Sequence, residues 1–367
     1  MVRMGHNMSM RDEKSPPKKG SFEMPTLIDI QKRLVPNLLD DMQQKYQILR
    51  SIRFLQPVGR RGLAQSLGMT ERVLRAEVDF LKTQDLIRVH SSGMSLTEEG
   101  LEILLPLEGM MNEISGINVM EKSVKDLLQI KDVIIVPGNS DDSPWVKEEL
   151  GRAAIQSMKK RVTDHTIIAV TGGTTMSSAA RMLTPDFAGR DILFVPARGG
   201  IGEDVHNQAN TICATMAQRS GAKHRVLYVP DQVSREVYDS IMKEPGIKEV
   251  MALITSANIV LHSIGDAAAM AKRRNTSEED MEKILAGEAV GEAFGYYFNV
   301  NGKIVHKVKT VGLQLKDLAS IPNIYAVAGG SSKANAIQAY FKGAPQSSSI
   351  LITDEGAAKE LLKGTPF

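Results

Sequence analysis

Short apolar runs alternate with longer helical patterns from Ile130 to the end of the chain. The runs have the length of buried strands, and they lie at residues 133–136, 166–171, 192–195, 225–229, 259–264, 324–327 and 350–352. Helical stretches separate most of them, and this alternation is typical of a mostly parallel sheet with helices on both faces. One interruption, residues 295–306, predicts a hairpin with Asn301 and Gly302 at its turn. We therefore expect a Rossmann-like α/β domain over residues 130–367.

Two of these predicted strands are followed by a pair of glycines that opens a helix. The first turn is Gly172-Gly173-Thr174-Thr175, and the second spans residues 328–333 and ends in Lys333. Such a turn leaves backbone N–H groups unpaired at a helix start, where the helix dipole adds partial positive charge, so it favours a phosphate. Neither turn has the spacing of a P-loop or of a dinucleotide fingerprint. The pair predicts a small ligand with two phosphates; the alternative is that both are ordinary tight turns.

Charged side chains near the strand ends are candidates for ligand contacts. Arg198 follows the strand at 192–195 and Lys333 belongs to the second turn, so we expect both to bind phosphate. Glu292 can accept hydrogen bonds from sugar hydroxyls. Arg274, which lies beyond the strand at 259–264, is interpreted as a solvated surface charge.

The segment 200–207 offers a competing, catalytic interpretation. Glu203, Asp204 and His206 follow a strand, and the pattern resembles the catalytic pair of glucosamine-6-phosphate deaminase, with Val205 where that enzyme has glycine. Together with the first glycine turn, it could mark an aldose–ketose isomerase or a deaminase that works by general acid–base catalysis. A helix N-terminus with exposed Asp and His is the commoner explanation, and no nucleophile motif is present. We therefore predict no catalytic residues.

The N-terminal part of the chain predicts a winged helix-turn-helix over residues 30–100. The helical patterns lie at residues 34–54, 60–67 and 71–83, and the strand patterns of the wing lie at 86–90 and 94–97. Gly68 ends the short helix, and Thr70 is a good N-cap for the next one. In that second helix we expect Val73 to face inward with the other apolar residues. A short helix, a glycine turn and an amphipathic helix are typical of DNA-binding domains.

The exposed positions of this unit carry a basic face. Arg72 and Arg75 lie one helical turn apart near the start of the second helix, as reading a major groove requires. We predict that the DNA contacts come from Arg60, Arg61, Thr70, Arg72 and Arg75. The alternatives are a face that is merely solvated and a domain that binds another protein.

Two further segments complete the organisation of the chain. Residues 1–24 are charged and punctuated by proline and glycine, which predicts a disordered extension. Residues 101–129 predict a linker helix with a break at Gly116. Its apolar residues at heptad-like spacing could also pair two protomers, although a Leu/Met stripe more often belongs to a core.

Composition sets the remaining limits. The net charge is only +2, so any DNA must be met by a local basic face. The single cysteine, Cys213, excludes an intramolecular disulfide and fits a reducing cytoplasm. No apolar run is long enough to cross a membrane, and the histidine spacing predicts no metal site. We expect a cytoplasmic protein without a cofactor.

The chain resembles the SorC/DeoR-type bacterial transcription regulators over about residues 30 to 362. The resemblance is carried by residues 58–61, 70–75, 170–175, 194–200, 292–298 and 328–333. It implies a homo-oligomeric repressor, a dimer or a tetramer on DNA, of the operon for triose-phosphate glycolytic enzymes, released by fructose 1,6-bisphosphate. It also implies an effector domain similar in fold to glucosamine-6-phosphate deaminase and ribose-5-phosphate isomerase. The ligand contacts that it implies are Gly172, Gly173, Thr174, Thr175, Arg198, Arg273, Glu292 and Lys333, with Arg273 and Glu292 resting mainly on the resemblance.

Overall fold

The computed structural model of the chain describes residues 34–201, 204–344 and 347–364. For Pro36 and Arg235 it describes the backbone alone. The predicted extension over residues 1–24 and the carboxylate of Glu203 lie outside the described residues. Within the described ranges, no helix is both long enough and apolar enough to cross a membrane.

The N-terminal unit combines three helices with a β-hairpin. Its elements are α1 (Pro36–Leu55), α2 (Arg60–Leu67), α3 (Glu71–Thr83), β1 (Ile87–His90) and β2 (Gly93–Leu96). Gly68 follows α2 with φ +64°, a conformation that carries no Cβ penalty for glycine. Thr70 caps α3, because its hydroxyl accepts the N–H of Val73 at 3.4 Å. The predicted helices and hairpin are confirmed.

Val73 is the exception to the predicted inward face of α3. Leu74, Val78 and Leu81 are buried at helical spacing, whereas Val73 is 45% exposed. One residue turns an α-helix by about 100°, which carries Val73 off the buried stripe. The prediction that Val73 faces inward is wrong.

Two helices lead from this unit towards the sheet, α4 (Glu98–Ile114) and α5 (Ile117–Leu128). Gly116, with φ +71°, separates them. Leu104, Met111 and Ile114 of α4 are buried in the same hydrophobic cluster as the inner faces of α1, α2 and α3. These side chains therefore belong to a core, and the alternative that they pair two protomers is wrong for them.

The rest of the described chain alternates strands and helices. The strands are β3 (Asp132–Val136), β4 (Ile167–Val170), β5 (Leu193–Pro196), β6 (Lys223–His224), β7 (Ile259–Ser263), β8 (Gly265–Asp266), β9 (Ala289–Ala293), β10 (Tyr296–Asn299), β11 (Ile304–Lys307), β12 (Asn323–Val327) and β13 (Ser349–Asp354). The helices are α6 (Pro144–Lys159), α7 (Thr174–Arg181), α8 (Ala209–Ser220), α9 (Arg235–Ile241), α10 (Pro245–Thr255), α11 (Ala267–Arg273), α12 (Glu278–Ala286), α13 (Ala334–Gly343) and α14 (Glu355–Leu361). Short 3-10 turns occur at Val205–Asn207, Leu315–Ser320 and Ser331–Lys333.

Within the described residues, one parallel sheet has the strand order β3-β13-β12-β7-β4-β5-β6. Successive side chains of a strand point to opposite faces. In β7, Ile259 and Leu261 pack into one hydrophobic cluster, whereas Val260 packs into the other. Because both faces are apolar, both are covered by helices. The predicted Rossmann-like parallel sheet is confirmed.

The strand predicted over residues 225–229 is wrong, because β6 ends at His224. The next rung of the β5–β6 ladder would need a backbone N–H at Pro196, and proline has none. Further on, the side chain of Asn210 in α8 takes both backbone groups of Leu227, accepting its N–H at 2.9 Å and donating to its carbonyl at 3.0 Å. A side chain therefore holds the backbone that continues beyond the end of β6.

At the opposite edge, a side chain also binds the backbone of the outermost strand. The Glu121 carboxylate of α5 accepts the N–H of Ile135 in β3 at 2.9 Å. A helix side chain thus holds one backbone group of the edge strand β3.

A second, antiparallel sheet has the order β11-β10-β9-β8. The predicted hairpin is confirmed as β10 and β11, and Gly302 in its turn has φ +78°. The sequence did not predict β8 and β9. This small sheet matters for the ligand site because β9 carries Glu292 and β10 carries Tyr297.

A buried cluster of charges joins the N-terminal unit to the sheet. Arg50 of α1 and Glu149 of α6 are 5% and 0% exposed, and their Nη2 and Oε2 atoms are 3.3 Å apart. Arg152 binds Glu149 through Nε at 2.6 Å and Glu108 of α4 through Nη2 at 2.8 Å. The Arg50 guanidinium also lies over the ring of Trp145, 4.6 Å from its centroid. Glu149 is therefore the shared partner of two arginines from different parts of the fold.

Candidate ligand site and nucleic-acid interface

A cavity lies at the carboxyl ends of β4 and β7, where parallel sheets bind ligands. It is lined by Thr171, Gly172, Gly173, Arg198, Gly199, Ile201, Asn207, Gln208, Ala209, Ser263, Gly265, Met270, Arg273, Glu292 and Phe294. The predicted ligand residues that meet here are Gly172, Gly173, Arg198, Arg273 and Glu292. Thr174 and Thr175 follow as the first residues of α7, whereas Lys333 belongs to the second turn and does not line the cavity.

The backbone of the first turn permits a close approach. Gly173 has φ +121°, which residues other than glycine rarely adopt. A Cβ on Gly172 would lie 2.6 Å from the carbonyl oxygen of Asn207, and the Gly173 N–H already donates to that oxygen at 2.9 Å. Thr174 and Thr175 begin α7, and first-turn amides have no acceptor within their own helix. The turn therefore offers these amides, rather than that of Gly173, to an anion.

Beside the cavity, four charged side chains form a closed ring of ion pairs, the Arg198–Asp231–Arg274–Glu292 ring. Arg198 binds Asp231 through two hydrogen bonds, Nε to Oδ1 at 2.6 Å and Nη2 to Oδ2 at 2.8 Å. Arg274 binds Glu292 from Nη2 to Oε1 at 2.8 Å, and its Nε lies 3.6 Å from Asp231 Oδ2. Arg198 Nη1 closes the ring 3.7 Å from Glu292 Oε1. The two cations and two anions cancel, so the ring is neutral overall.

The interpretation of Arg274 as a solvated surface charge is wrong. Its side chain is 2% exposed, and besides the ring it donates from Nη1 to the Tyr297 hydroxyl at 3.0 Å. Asp231, which binds both arginines, was not predicted at all. It lies 33 residues from Arg198 along the chain, and no local pattern marks the pair. Only the packing of the small sheet against the loops brings these groups together.

Two groups at the cavity have no partner. Arg273 makes no hydrogen bond or ion pair within the described residues. The hydroxyl of Thr171 is also buried, and it has no hydrogen-bond partner among the described residues. Thr171 was not predicted as a contact. Because Asp231 already neutralises Arg198, Arg273 supplies the uncompensated positive charge of the cavity.

Glu292 is held in its ionised form. Burial raises the pKa of Glu292, but the charges of Arg274 and Arg198 outweigh burial and bring the pKa below its ordinary value of 4.5. Oε1 also accepts the N–H of Gly295 at 2.6 Å. Oε2 makes no hydrogen bond to any described residue. It is therefore the oxygen that can accept a ligand hydroxyl.

The second glycine turn is occupied by acidic side chains. The Gly330 N–H donates to Asp354 Oδ2 at 2.7 Å, and the Ser332 N–H donates to Asp141 Oδ2 at 2.8 Å. The expectation that this turn holds unpaired amides is wrong, because carboxylates from remote segments already satisfy them. Burial lowers the pKa of Lys333, which lies beside this turn.

The segment behind the catalytic alternative forms a local cap. Asp204 Oδ1 accepts the N–H of His206 at 3.1 Å and so begins the 3-10 turn Val205–Asn207. Both side chains are exposed, and neither lines the cavity. The acid–histidine pair therefore has a structural explanation.

The predicted DNA contacts are Arg60, Arg61, Thr70, Arg72 and Arg75, and all are exposed. Arg61 Nε lies 3.2 Å from Glu71 Oε1, an ion pair between α2 and α3. The Thr70 hydroxyl is engaged as the cap of α3. Arg72 and Arg75 make no ion pair within the described residues, so both are free to meet DNA.

Comparisons with known proteins cover both parts of the chain. The family model described as the CggR N-terminal DNA binding domain matches residues 42–111, and the sugar-binding domain model, Sugar-bind, matches residues 112–363. A solved SorC family transcriptional regulator from Enterococcus faecalis is 46% identical, over 66% of this chain and 99% of that chain, with a TM-score of 0.63. The chain belongs to the SorC family. A DNA-binding domain followed by a sugar-binding domain is thus the organisation of this SorC family member.

Two relatives match nearly the whole chain. Both are called Central glycolytic genes regulator. The protein from Bacillus subtilis (strain 168) is 56% identical, over 93% of this chain and 99% of its own length. The protein from Priestia megaterium (strain DSM 319 / IMG 1521) is 57% identical, over the same shares. These relatives and the solved SorC family protein are regulators, which favours a regulator over an enzyme.

Proposed function

We propose that this chain represses the genes for the triose-phosphate part of glycolysis and leaves its operator when fructose 1,6-bisphosphate binds. The names of the relatives support the gene class. The observation that carries the ligand class is the cavity at the first glycine turn, which Gly172, Gly173 and the unpaired Arg273 line and after which α7 begins with its free first-turn amides. Such a site favours a phosphate group, and the free oxygen of Glu292 adds an acceptor for a sugar hydroxyl.

The position of the second turn supports a ligand with two phosphates. The first turn follows β4 and the second follows β12, and these strands flank β7. Strands lie about 4.8 Å apart, so the two turns are separated by about 10 Å, which suits a sugar with a phosphate at each end. In this proposal, one phosphate binds the amides of Thr174 and Thr175 with Arg273. The other approaches Lys333 and competes with Asp141.

The remaining assignments follow from the same proposal. The winged helix-turn-helix spans residues 30–100, the linker 101–129 and the effector domain 130–367. The protein acts in the cytoplasm on double-stranded operator DNA, as a dimer or as a tetramer on DNA, and carries out no catalysis. Ligand binding weakens the operator complex by favouring a protomer arrangement that binds paired half-sites poorly.

The proposal is tested by thermal unfolding with fructose 1,6-bisphosphate, fructose 6-phosphate and glucosamine 6-phosphate, with each mixture analysed for product. A ligand at a hundredfold excess over its Kd stabilises the native state by about 2.7 kcal/mol. We expect a clear rise of the melting temperature with the bisphosphate and no product. A rise with a monophosphate together with turnover would instead support the isomerase or deaminase alternative.

Asp141 gives a second test at the other end of the ligand. Because its carboxylate takes the Ser332 amide, Asp141→Ala should free that amide and remove a negative charge beside Lys333. We expect about tenfold tighter binding of fructose 1,6-bisphosphate, measured by calorimetry. Asp142→Ala is the matched control, since within the described residues the Asp142 carboxylate accepts from the side chain of Asn139 and from no amide of the turn. Equal affinities for both variants would argue against a phosphate at the second turn.

A further inference from the structure

Arg274 meets the cavity only through other residues. It does not line the cavity itself. It contacts Glu292, which does, and it lies beside Asp231, the partner of the cavity residue Arg198. Its side chain spans the two anions of the ring, and its remaining nitrogen donates to Tyr297. A charged side chain that is 2% exposed and bound on three sides has little freedom to move.

The geometry at Glu292 shows what this contact does. Arg274 Nη2 and the Gly295 N–H both occupy Oε1, at 2.8 and 2.6 Å. With that oxygen held on two sides, the carboxylate has one orientation, and Oε2 is left as its free acceptor. Asp231 fixes Arg198 in the same way, because two of the three guanidinium nitrogens are committed to its carboxylate.

We propose that Arg274 is a positioning residue that determines the specificity of the ligand site for hydroxyl-bearing sugars. It holds Glu292 as an oriented anion, so that Oε2 accepts a sugar hydroxyl, which inorganic phosphate does not supply. A site that pairs a ligand hydroxyl with a buried acceptor discriminates strongly against ligands that lack the hydroxyl. This inference rests on the proposed function, since it concerns the same cavity.

The prediction about phosphate follows from the separation of the two parts of the site. The phosphate contacts are the α7 amides and Arg273, and none of them belongs to the Arg198–Asp231–Arg274–Glu292 ring. Loss of Arg274 should therefore impair the recognition of the sugar and leave the recognition of inorganic phosphate largely unchanged. A general loss of folding would weaken both.

Calorimetry with fructose 1,6-bisphosphate and with inorganic phosphate tests this separation in Arg274→Met. We expect the bisphosphate affinity to fall at least about tenfold, because a charge-assisted contact is lost. The phosphate affinity should stay within about twofold, as expected for independent groups. Arg274→Lys restores a cation beside Glu292 and should recover most of the loss. Lys272→Met, at an exposed neighbouring position of α11, should match the wild type.

The pH dependence supplies a readout that a purely structural role would not change. Within the described residues, the titratable and charged groups that interact with Glu292 are Arg274, Arg198, Tyr297 and His262, and Arg273 lines the same cavity. Burial lowers the pKa of His262 to about 4, so it stays neutral. Without Arg274, burial should raise the pKa of Glu292. The ratio of variant to wild-type bisphosphate affinity should then decrease as the pH falls from about 8 to about 5.5. Taking the ratio removes the titration of the ligand itself.

A double-mutant cycle completes the test. If Arg274 acts through Glu292, Arg274→Met and Glu292→Gln together should cost no more affinity than the larger single effect.

A second variant covers the case in which Arg274→Met folds poorly. Arg274→Met with Asp231→Asn removes one cation and one anion together and should give the same contrast between the two ligands. Additive losses, or equal losses for both ligands, would overturn the inference alone. Failure of the wild type to bind any sugar phosphate would overturn the proposed function, and the inference with it.

Discussion

Replacing Arg72 and Arg75 together by alanine should strongly weaken operator binding while sugar-phosphate binding stays intact. Both side chains are exposed on the first turns of α3 and make no ion pair within the described residues, so their charge is available to DNA. Each arginine that contacts a base or a phosphate contributes about 1–3 kcal/mol, so the double change should weaken binding at least about thirtyfold. Titration of labelled operator DNA measures the loss.

The control separates the DNA-contacting face from total charge. Lys82→Ala removes one positive charge from the exposed, far end of α3 and should change operator affinity little. The salt dependence gives a second readout, because each lost phosphate contact lowers its slope by about one unit. If the double variant bound operator normally, α3 would not be the recognition helix. If it also lost the ligand, the two activities would not reside in separate domains.

Glu149→Leu should cause the largest loss of stability. Glu149 is 0% exposed and is the shared partner of Arg50 and Arg152, so its removal leaves the buried Arg50 without a carboxylate and Arg152 with Glu108 alone. Breaking a buried ion pair in this way costs about 3–5 kcal/mol. Glu279→Leu, in the exposed pair with Lys283, should cost less than about 1 kcal/mol. Scanning calorimetry of both variants measures the difference.

The same variant should also separate the unfolding of the two parts of the molecule. Arg50 belongs to the N-terminal unit and Glu149 to α6, which packs against the sheet, so without the carboxylate we expect two resolved transitions. A single transition at the wild-type temperature would show that the charge cluster contributes little to stability or to coupling.

Acidification should weaken this contact in the wild-type protein. Burial raises the pKa of Glu149, but the hydrogen bond and charge of Arg152 outweigh burial, so the folded pKa lies below the ordinary 4.5. For a carboxyl group with a lowered folded pKa, the stabilisation is fully present above the unfolded pKa and disappears as the pH falls through the folded one. The coupled unfolding should therefore persist at neutral pH and weaken below about pH 4.5.

What the sequence predicted well was encoded locally. The cap at Thr70 and the glycine that ends α2 involve neighbours in the chain, and the structure has both. The first glycine turn likewise lies between a strand and a helix, as its pattern indicates. The alternation of strands and helices was also predicted, because hydrophobic periodicity depends on residues that are neighbours in the chain.

The errors arose where distant segments decide the outcome. Arg274 looks like any charged residue at a helix end until β9 and β10 enclose it. The amides of the second turn look free in the sequence, but Asp141 and Asp354, from remote segments, bind them. In the same way, the apolar segment 225–229 has the composition of a strand, but Pro196 on the neighbouring strand cannot extend the ladder. None of these partners leaves a mark in the local sequence.

Side-chain hydrogen bonds beside the two edges of the parallel sheet have a consequence for aggregation. An open strand edge is a template on which other chains can add, and it promotes aggregation. Here Asn210 binds both backbone groups of Leu227 on one side, and Glu121 binds the N–H of Ile135 on the other. Growth by strand addition would have to break these contacts first. These contacts therefore disfavour association of copies through merged sheets.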